Sequence, residues 1–302
     1  MAAIAECGHV QFVDLNSRVN AFQRTFVSEV RRLLEMQRRV RFLCVAADRG
    51  SVELAETTPL LAGNKAAVDA LDAATAAAED RVKQMLASTE ALGRTLKTLT
   101  ELRHVLRETA VFFNDSDSDS HSTLGFVAGV VPRDKAAVFE RVLFRALRGN
   151  LLLNTAEISE PIEDPNSQES VRKNAFIVFA HGAELIAKIK KICESLGATI
   201  YPVDENSAKR RENALEIIAR IEDLRHVLDN TKASLHVELR AIALNLNDWK
   251  CTVEKEMAVH HTMNLFNYDV NRKALIAEGW CPSSCIENVR VALRSVTVLP
   301  IF

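Results

Sequence analysis

The sequence predicts an α+β chain built as a long helical strut with a small α/β lobe at each end. Two stretches carry apolar residues at helical heptad spacing, and the segment between them alternates between strand and helix patterns. The short segments outside both stretches read as strands that can meet at one end of the strut.

In the first heptad stretch one position is held by Val68, Thr75, Val82, Thr89, Leu96, Arg103 and Ala110. Three residues on stand Leu71, Ala78, Met85, Leu92, Leu99, Leu106 and Phe113, all apolar. An apolar repeat every ~3.5 residues over this length makes a narrow seam that needs another helix against it. The second stretch supplies Ile218, Ile221, Leu228, Leu235, Leu239, Ile242, Leu246, Trp249, Val253 and Met263, interrupted by Arg225, Lys232, Glu256 and His260. Because the stretches flank residues 124–206, antiparallel pairing is the simplest closure. About fifty helical residues reach roughly 75 Å.

Taken in order, residues 1–49 and 274–302 are expected to form one lobe. A strand spans His9–Leu15, and Asn16 or Ser17 offers a side-chain oxygen to the first amides of the next helix. That helix runs to Arg49 with Val19, Phe22, Phe26, Met36, Val40 and Leu43 as its seam and Leu33 filling it. Its outer face carries Arg31, Arg32, Arg38, Arg39 and Arg41, either a solvated basic face or a docking surface for acidic partners or anionic lipid headgroups. Residues 50–63, with Gly50, Pro59 and Gly63, break the helix. The outgoing helix covers 64–114, and 115–122 reads D-S-D-S-D-S-H-S, an acidic flexible loop.

The second lobe, 123–206, is the most legible. Gly125–Val131, Leu151–Ile158, Asn174–Ala180 and Thr199–Val203 read as strands, Asp134–Arg148 and Ala183–Leu196 as helices, and Gly197 stops the latter. The order is βαββαβ, the ferredoxin-like arrangement. Residues 207–273 form the returning helix and a polar joint. After it, I-A-E-G-W-C-P at 276–282 echoes F-V-A-G-V-V-P at 126–132, an expected internal repeat with one copy in each lobe. In that case 274–302 pairs with the N-terminal strand.

Apolar content of 48%, charged content of 26% and a net charge of −2 describe a soluble globular chain and disfavour a dedicated nucleic-acid binder. The cysteines Cys7, Cys44, Cys193, Cys251, Cys281 and Cys285 form no C-x-x-C pair, which suits reduced thiols. No secretory signal or membrane-spanning run is visible.

Nucleotide-loop, nucleophile-elbow and zinc-protease motifs are absent, so no catalytic site, metal or cofactor is expected. Glu256 and His260, one turn apart, read as a polar interruption of the seam. Candidate anion- or lipid-binding residues are Arg172, Lys173, Lys188, Lys190, Lys191, Lys209, Arg210 and Arg211, which converge on one lobe. Candidate partner-binding residues are Arg31, Arg32, Arg38 and Arg39, with Glu160, Glu163 and Asp164 on a proline-containing loop.

Several blocks carry a family resemblance. V-Q-F-V-D-L-N at 10–16, F-Q-R-T-F-V-S-E-V-R-R at 22–32, R-G-N-L-L-L at 148–153, F-A-H-G at 179–182, Y-P-V-D-E-N at 201–206 and F-N-Y-D-V-N-R-K-A-L-I-A-E-G-W-C-P at 266–282 occur in order along nearly the whole chain. Together they resemble the N-terminal cytosolic region of the vacuolar-type proton ATPase a subunit, in a fungal-like form. The resemblance implies an elongated dumbbell, its distal lobe ferredoxin-like, joined to the proximal lobe by a long antiparallel coiled coil. It implies a non-catalytic stator and assembly arm on the cytosolic face of a vacuole, Golgi or endosome membrane. Implied partners are the E and G peripheral stalk subunits, the C and H subunits, the membrane-sector d subunit, assembly factors and phosphoinositides. The alternative is a stand-alone phosphoinositide-binding adaptor or coiled-coil scaffold.

Overall fold

The computed structural model describes residues 8–53, 65–115, 125–163, 170–204, 206–269 and 274–297. The first elements are β1 (Gln11–Phe12), a 3-10 turn (Ala21–Gln23), α1 (Val27–Arg49) and α2 (Lys65–Asp115). There follow β2 (Gly125–Pro132), α3 (Arg133–Ala146), β3 (Leu152–Glu157), β4 (Ile162–Glu163), β5 (Ser170–Val171), β6 (Lys173–Ala180), α4 (Ala183–Ser195) and β7 (Thr199–Tyr201). The chain continues with α5 (Ser207–Met263), β8 (Asn267–Asp269), β9 (Ala274–Ile276), β10 (Gly279–Trp280), a second 3-10 turn (Ser283–Cys285) and α6 (Ile286–Thr297). Two units divide it, Met1–Gln84 with Ser234–Phe302, and Met85–Ala233.

In the unit Met85–Ala233, a four-stranded antiparallel sheet has the order β3-β6-β2-β7. With α3 and α4 as crossovers this is the ferredoxin-like connectivity. Strand β6, K-N-A-F-I-V-F-A, is apolar on both faces. Side chains alternate across a strand, so each face needs its own cover. Phe176, Val178 and Ala180 join Val127 and Val131 of β2 beneath Phe139 and Leu143 of α3 and Ile189 and Cys193 of α4. Ala175, Ile177 and Phe179 join Ala128, Val130 and Tyr201 on the opposite face, against Leu102 and Val105 of α2 and Ile158 and Ile162.

Backbone details fix the layers. Helix α4 ends in a Schellman closure: Gly197 at φ 75° donates to Glu194 O at 3.2 Å, and Ala198 donates to Cys193 O at 2.9 Å. Gly129 lies where β2 meets β7, and a Cβ there would stand 2.2 Å from Thr199 O and 2.9 Å from Phe176 Cζ.

In the other unit, α1 packs against the start of α2 and the second half of α5. Val40, Leu43, Ala46, Ala78, Val82, Leu239, Ile242 and Leu246 form one cluster, and Leu33, Met36 and Val253 another. The β1–β10 ladder pairs Gln11 with Trp280 and Phe12 with Gly279, so the N-terminal strand does meet residues beyond 274.

Several sequence expectations change. The first strand is only Gln11–Phe12, and α1 begins at Val27 rather than near Ser17. Asn16 is not its cap: its side-chain amide donates to Asn264 O at 3.1 Å and Phe266 O at 2.6 Å, tying the entry loop to the end of α5. Asn20 caps the 3-10 turn instead, which leaves Phe22 74% exposed and outside the seam. The echo of 126–132 is not one strand, since 276–282 is divided between β9 and β10 in two separate ladders. Glu278 and Gly279 interrupt its apolar pattern. Arg225 and Lys232 are exposed rather than set into the α5 seam, while Glu256 is buried as expected. Residues 54–63 of the expected break 50–63, 116–122 of the expected loop 115–122 and 270–273 of the expected joint 268–273 lie outside the described residues, while Asp115 closes α2 and Tyr268 and Asp269 belong to β8.

Gly129→Ala should destabilise the chain by about 2 kcal/mol, the usual cost of overpacking a filled site. Urea unfolding followed by circular dichroism checks this.

Candidate functional site

In helix α1 Arg32 and Arg39 stand two turns apart with Arg38 beside them, so all three lie along one edge of the buried stripe. The structure turns that edge toward α2. Arg32 donates to Asp72 at 2.8 Å and Asp69 at 2.6 Å, and Arg39 to Asp72 at 2.7 Å. Arg38 bridges Glu35 at 2.7 Å and Glu79 at 2.9 Å, while Lys83 reaches Glu79 at 2.8 Å. Arg31 stays exposed, 5.9 Å from the Phe22 ring.

Glu79 is buried, and burial alone would raise its pKa. The hydrogen bonds and charges of Arg38 and Lys83 outweigh that and hold it low. Asp72 behaves the same way, with Arg32 and Arg39 overriding burial. Hydrogen bonding to Asp72 and Asp69 raises Arg32. Three of the four expected partner-binding arginines are therefore engaged within the chain.

A second cluster lies in the unit Met85–Ala233. Lys173 Nζ donates to Glu101 Oε1 at 2.6 Å and Tyr201 Oη donates to Glu101 Oε2 at 2.8 Å, with Glu101 buried between α2 and the sheet. Burial, then the charge of Glu101, raises the Tyr201 phenol. Lys173 is thus a sheet-to-helix tie. Arg210 is 7% exposed and donates to Asp204 O at 3.0 Å, and burial lowers its pKa. Arg172, Lys188, Lys190, Lys191, Lys209 and Arg211 are exposed.

Glu160 accepts from Arg103 at 2.9 Å. Together with Arg210 and Arg211 it lines an open cleft of about 420 Å³ that also takes in Arg103, His104 and Arg107. His104 is buried, and burial, then Arg103 and Arg107, lowers its pKa. The side chain of Glu163, and Asp164, lie outside the described residues.

Glu101 and His104 escape sequence reasoning because they sit off the heptad seam. The signal that could have found them is a second stripe, Leu102 and Val105 continued by Thr109, which buries a second face of this part of α2.

His260 Nδ1 lies 2.9 Å from the Glu256 carbonyl oxygen. Among the described residues no group of three or more His, Cys, Asp or Glu is placed to hold a metal, and no helix is long and apolar enough to cross a membrane.

Two outcomes follow from these ion pairs. Glu101→Gln should cost about 3 kcal/mol in urea unfolding, because it strands the Lys173 charge, whereas Glu101→Leu with Lys173→Leu and Tyr201→Phe should recover most of it. Asp72 and Glu79 have depressed pKa values, so their stabilisation is complete above their unfolded pKa values, about 4, and disappears as pH falls through the folded ones. Thermal melts from neutral pH downward should show this loss, and Glu79→Gln should flatten it.

The description V-type ATPase 116kDa subunit family belongs to the family model that matches residues 2–299. The V-type proton ATPase subunit a of Neurospora crassa is 41% identical over 330 residues, covering 97% of this chain and 39% of that protein. The V-type proton ATPase 116 kDa subunit a 1 of Xenopus tropicalis is 40% identical, covering 98% and 38%. The human V-type proton ATPase 116 kDa subunit a 4 is 36% identical, covering 97% and 38%. The chain spans less than half the length of these curated relatives. The crystal structure of the cytoplasmic N-terminal domain of subunit I, a homolog of subunit a of V-ATPase, aligns over 98% of this chain and 91% of its own at 13% identity and a TM-score of 0.39, too low a likeness to carry an inference. A match from residue 2 to residue 299, with relatives this similar covering nearly every position, places the chain in the V-type ATPase 116 kDa subunit family.

Proposed function

We propose that the chain is the non-catalytic stator and assembly arm of a vacuolar-type proton-translocating ATPase. Its work is to tether the E–G peripheral stalks and the C and H subunits to the membrane sector, including the d subunit, and so to support ATP-driven proton transport and organelle acidification. The observation that carries this reading is the family match over residues 2–299. It is supported by the chain's own build. Helices of 51 and 57 residues suit a member that bears load along its length. We place it on the cytosolic face of an endomembrane.

In this reading the exposed cations Arg172, Lys188, Lys190, Lys191, Lys209 and Arg211 face anionic partners or phosphoinositide headgroups. Arg31 and the exposed side of Arg38 remain for acidic surfaces of stalk subunits.

Immobilised chain should capture a purified E–G stalk heterodimer reversibly in biolayer interferometry, with weaker capture as salt rises. No capture of E–G or of C at low salt contradicts the stator role. Binding of phosphoinositide vesicles alone would favour a free-standing adaptor.

A further inference from the structure

The cleft in the unit Met85–Ala233 combines an apolar wall with a basic rim. Leu106, Ala110, Ala214 and Ile218 give it a hydrocarbon wall built from α2 and the first turns of α5. Arg103, Arg107, Arg210 and Arg211 stand around that wall. Ile218 is 42% exposed, and Leu215 on the same helix is 70% exposed. Arg211 is also open to solvent, as is Arg107 apart from its Nε, which donates to Glu108 Oε1 at 3.1 Å.

The rim already binds a carboxylate. Glu160 accepts from Arg103 at 2.9 Å and lies 3.6 Å from His104 Nε2. Arginine forks match carboxylate geometry, and the N-terminus of the 57-residue α5 adds partial positive charge at Ser207. His104, 1% exposed, is part of the wall, and its Nδ1 has no hydrogen-bond partner among the described residues. A buried polar atom left without a partner calls for a specific explanation, such as a group that completes the site.

A bare phosphate gains nothing from four aliphatic side chains. A bilayer surface favours a flat or convex basic face, and this one is concave. A peptide that alternates aliphatic and acidic side chains uses both the wall and the rim. We infer that this cleft docks an acidic, leucine-bearing peptide segment of a partner protein, with aliphatic side chains against Leu106 and Ile218 and carboxylates on Arg107 and Arg211. The inference rests on the cleft lining, and of its basic residues only Arg211 also figures in the stator reading.

The test uses the full 302-residue chain and a fluorescein-labelled synthetic peptide of repeating Leu-Leu-Glu-Glu, read by fluorescence anisotropy. Saturable binding is expected. Arg107→Glu with Arg211→Glu should weaken it about tenfold or more, two exposed charges being inverted. The same variant should gain affinity for a Leu-Leu-Lys-Lys peptide, a rescue that an unfolded variant cannot give. Ile218→Asp should also weaken binding of the acidic peptide. Equal binding of a Leu-Leu-Gln-Gln peptide, or no loss in the charge-reversed variant, overturns the inference. So does failure of the acidic peptide to bind where inorganic phosphate or phosphatidylserine vesicles do.

Discussion

The unit Met85–Ala233 depends on one constraint, that strand β6 is apolar on both faces. A sheet with one wet face needs a single cover, but this one needs two. Helices α3 and α4 are delivered to one face by the crossovers on either side of β3 and β6, and bring Phe139, Leu143, Ile189 and Cys193 with them. Among the described residues the other face has no crossover helix of its own. It is closed by α2, which enters from before the sheet in sequence, through Leu102 and Val105. Local strand chemistry thereby fixes where a distant helix must lie. That placement in turn forms the cleft between α2 and the start of α5.

Polar groups follow the same logic. A carboxylate pressed against an apolar sheet face is tolerable only when its oxygens are satisfied. Glu101 meets that condition twice, through Lys173 and Tyr201. In the other unit, Glu79 is buried among Arg38, Arg39 and Lys83, and the charge of α1 is largely spent on α2. Charge that a sequence displays is thus divided into two kinds. Arg32, Arg39 and Lys173 hold elements together and Arg210 ties the first turn of α5 to the loop before it, while Lys188, Lys190 and Arg211 keep their heads in water.

The lobe at 123–206 was legible because its signals are local. Apolar runs bounded by Pro132, Gly149 and Gly197 give strand and helix limits within two residues at most ends. The start of α2 is off by one residue for the same reason, a strong heptad following a break. The start of α1 was not legible, because Asn16 looks like a cap but is claimed by backbone oxygens nearly 250 residues away. The candidate site was legible only as charge. Nothing adjacent to Lys173 in sequence announces Glu101, which lies 72 residues earlier. Arg225 and Lys232 misled for a further reason: a heptad register carried through a long helix drifts relative to the true 3.6-residue turn.

Residue-resolved amide hydrogen exchange on the whole chain tests the two-sided sheet most directly. If both faces are covered, the amides of β6 and the central residues of β2 exchange only through the largest opening and are the slowest of their unit. Exchange in β6 as fast as in the short edge strand β7 would mean that one cover is missing, and the placement of α2 against the sheet would be wrong.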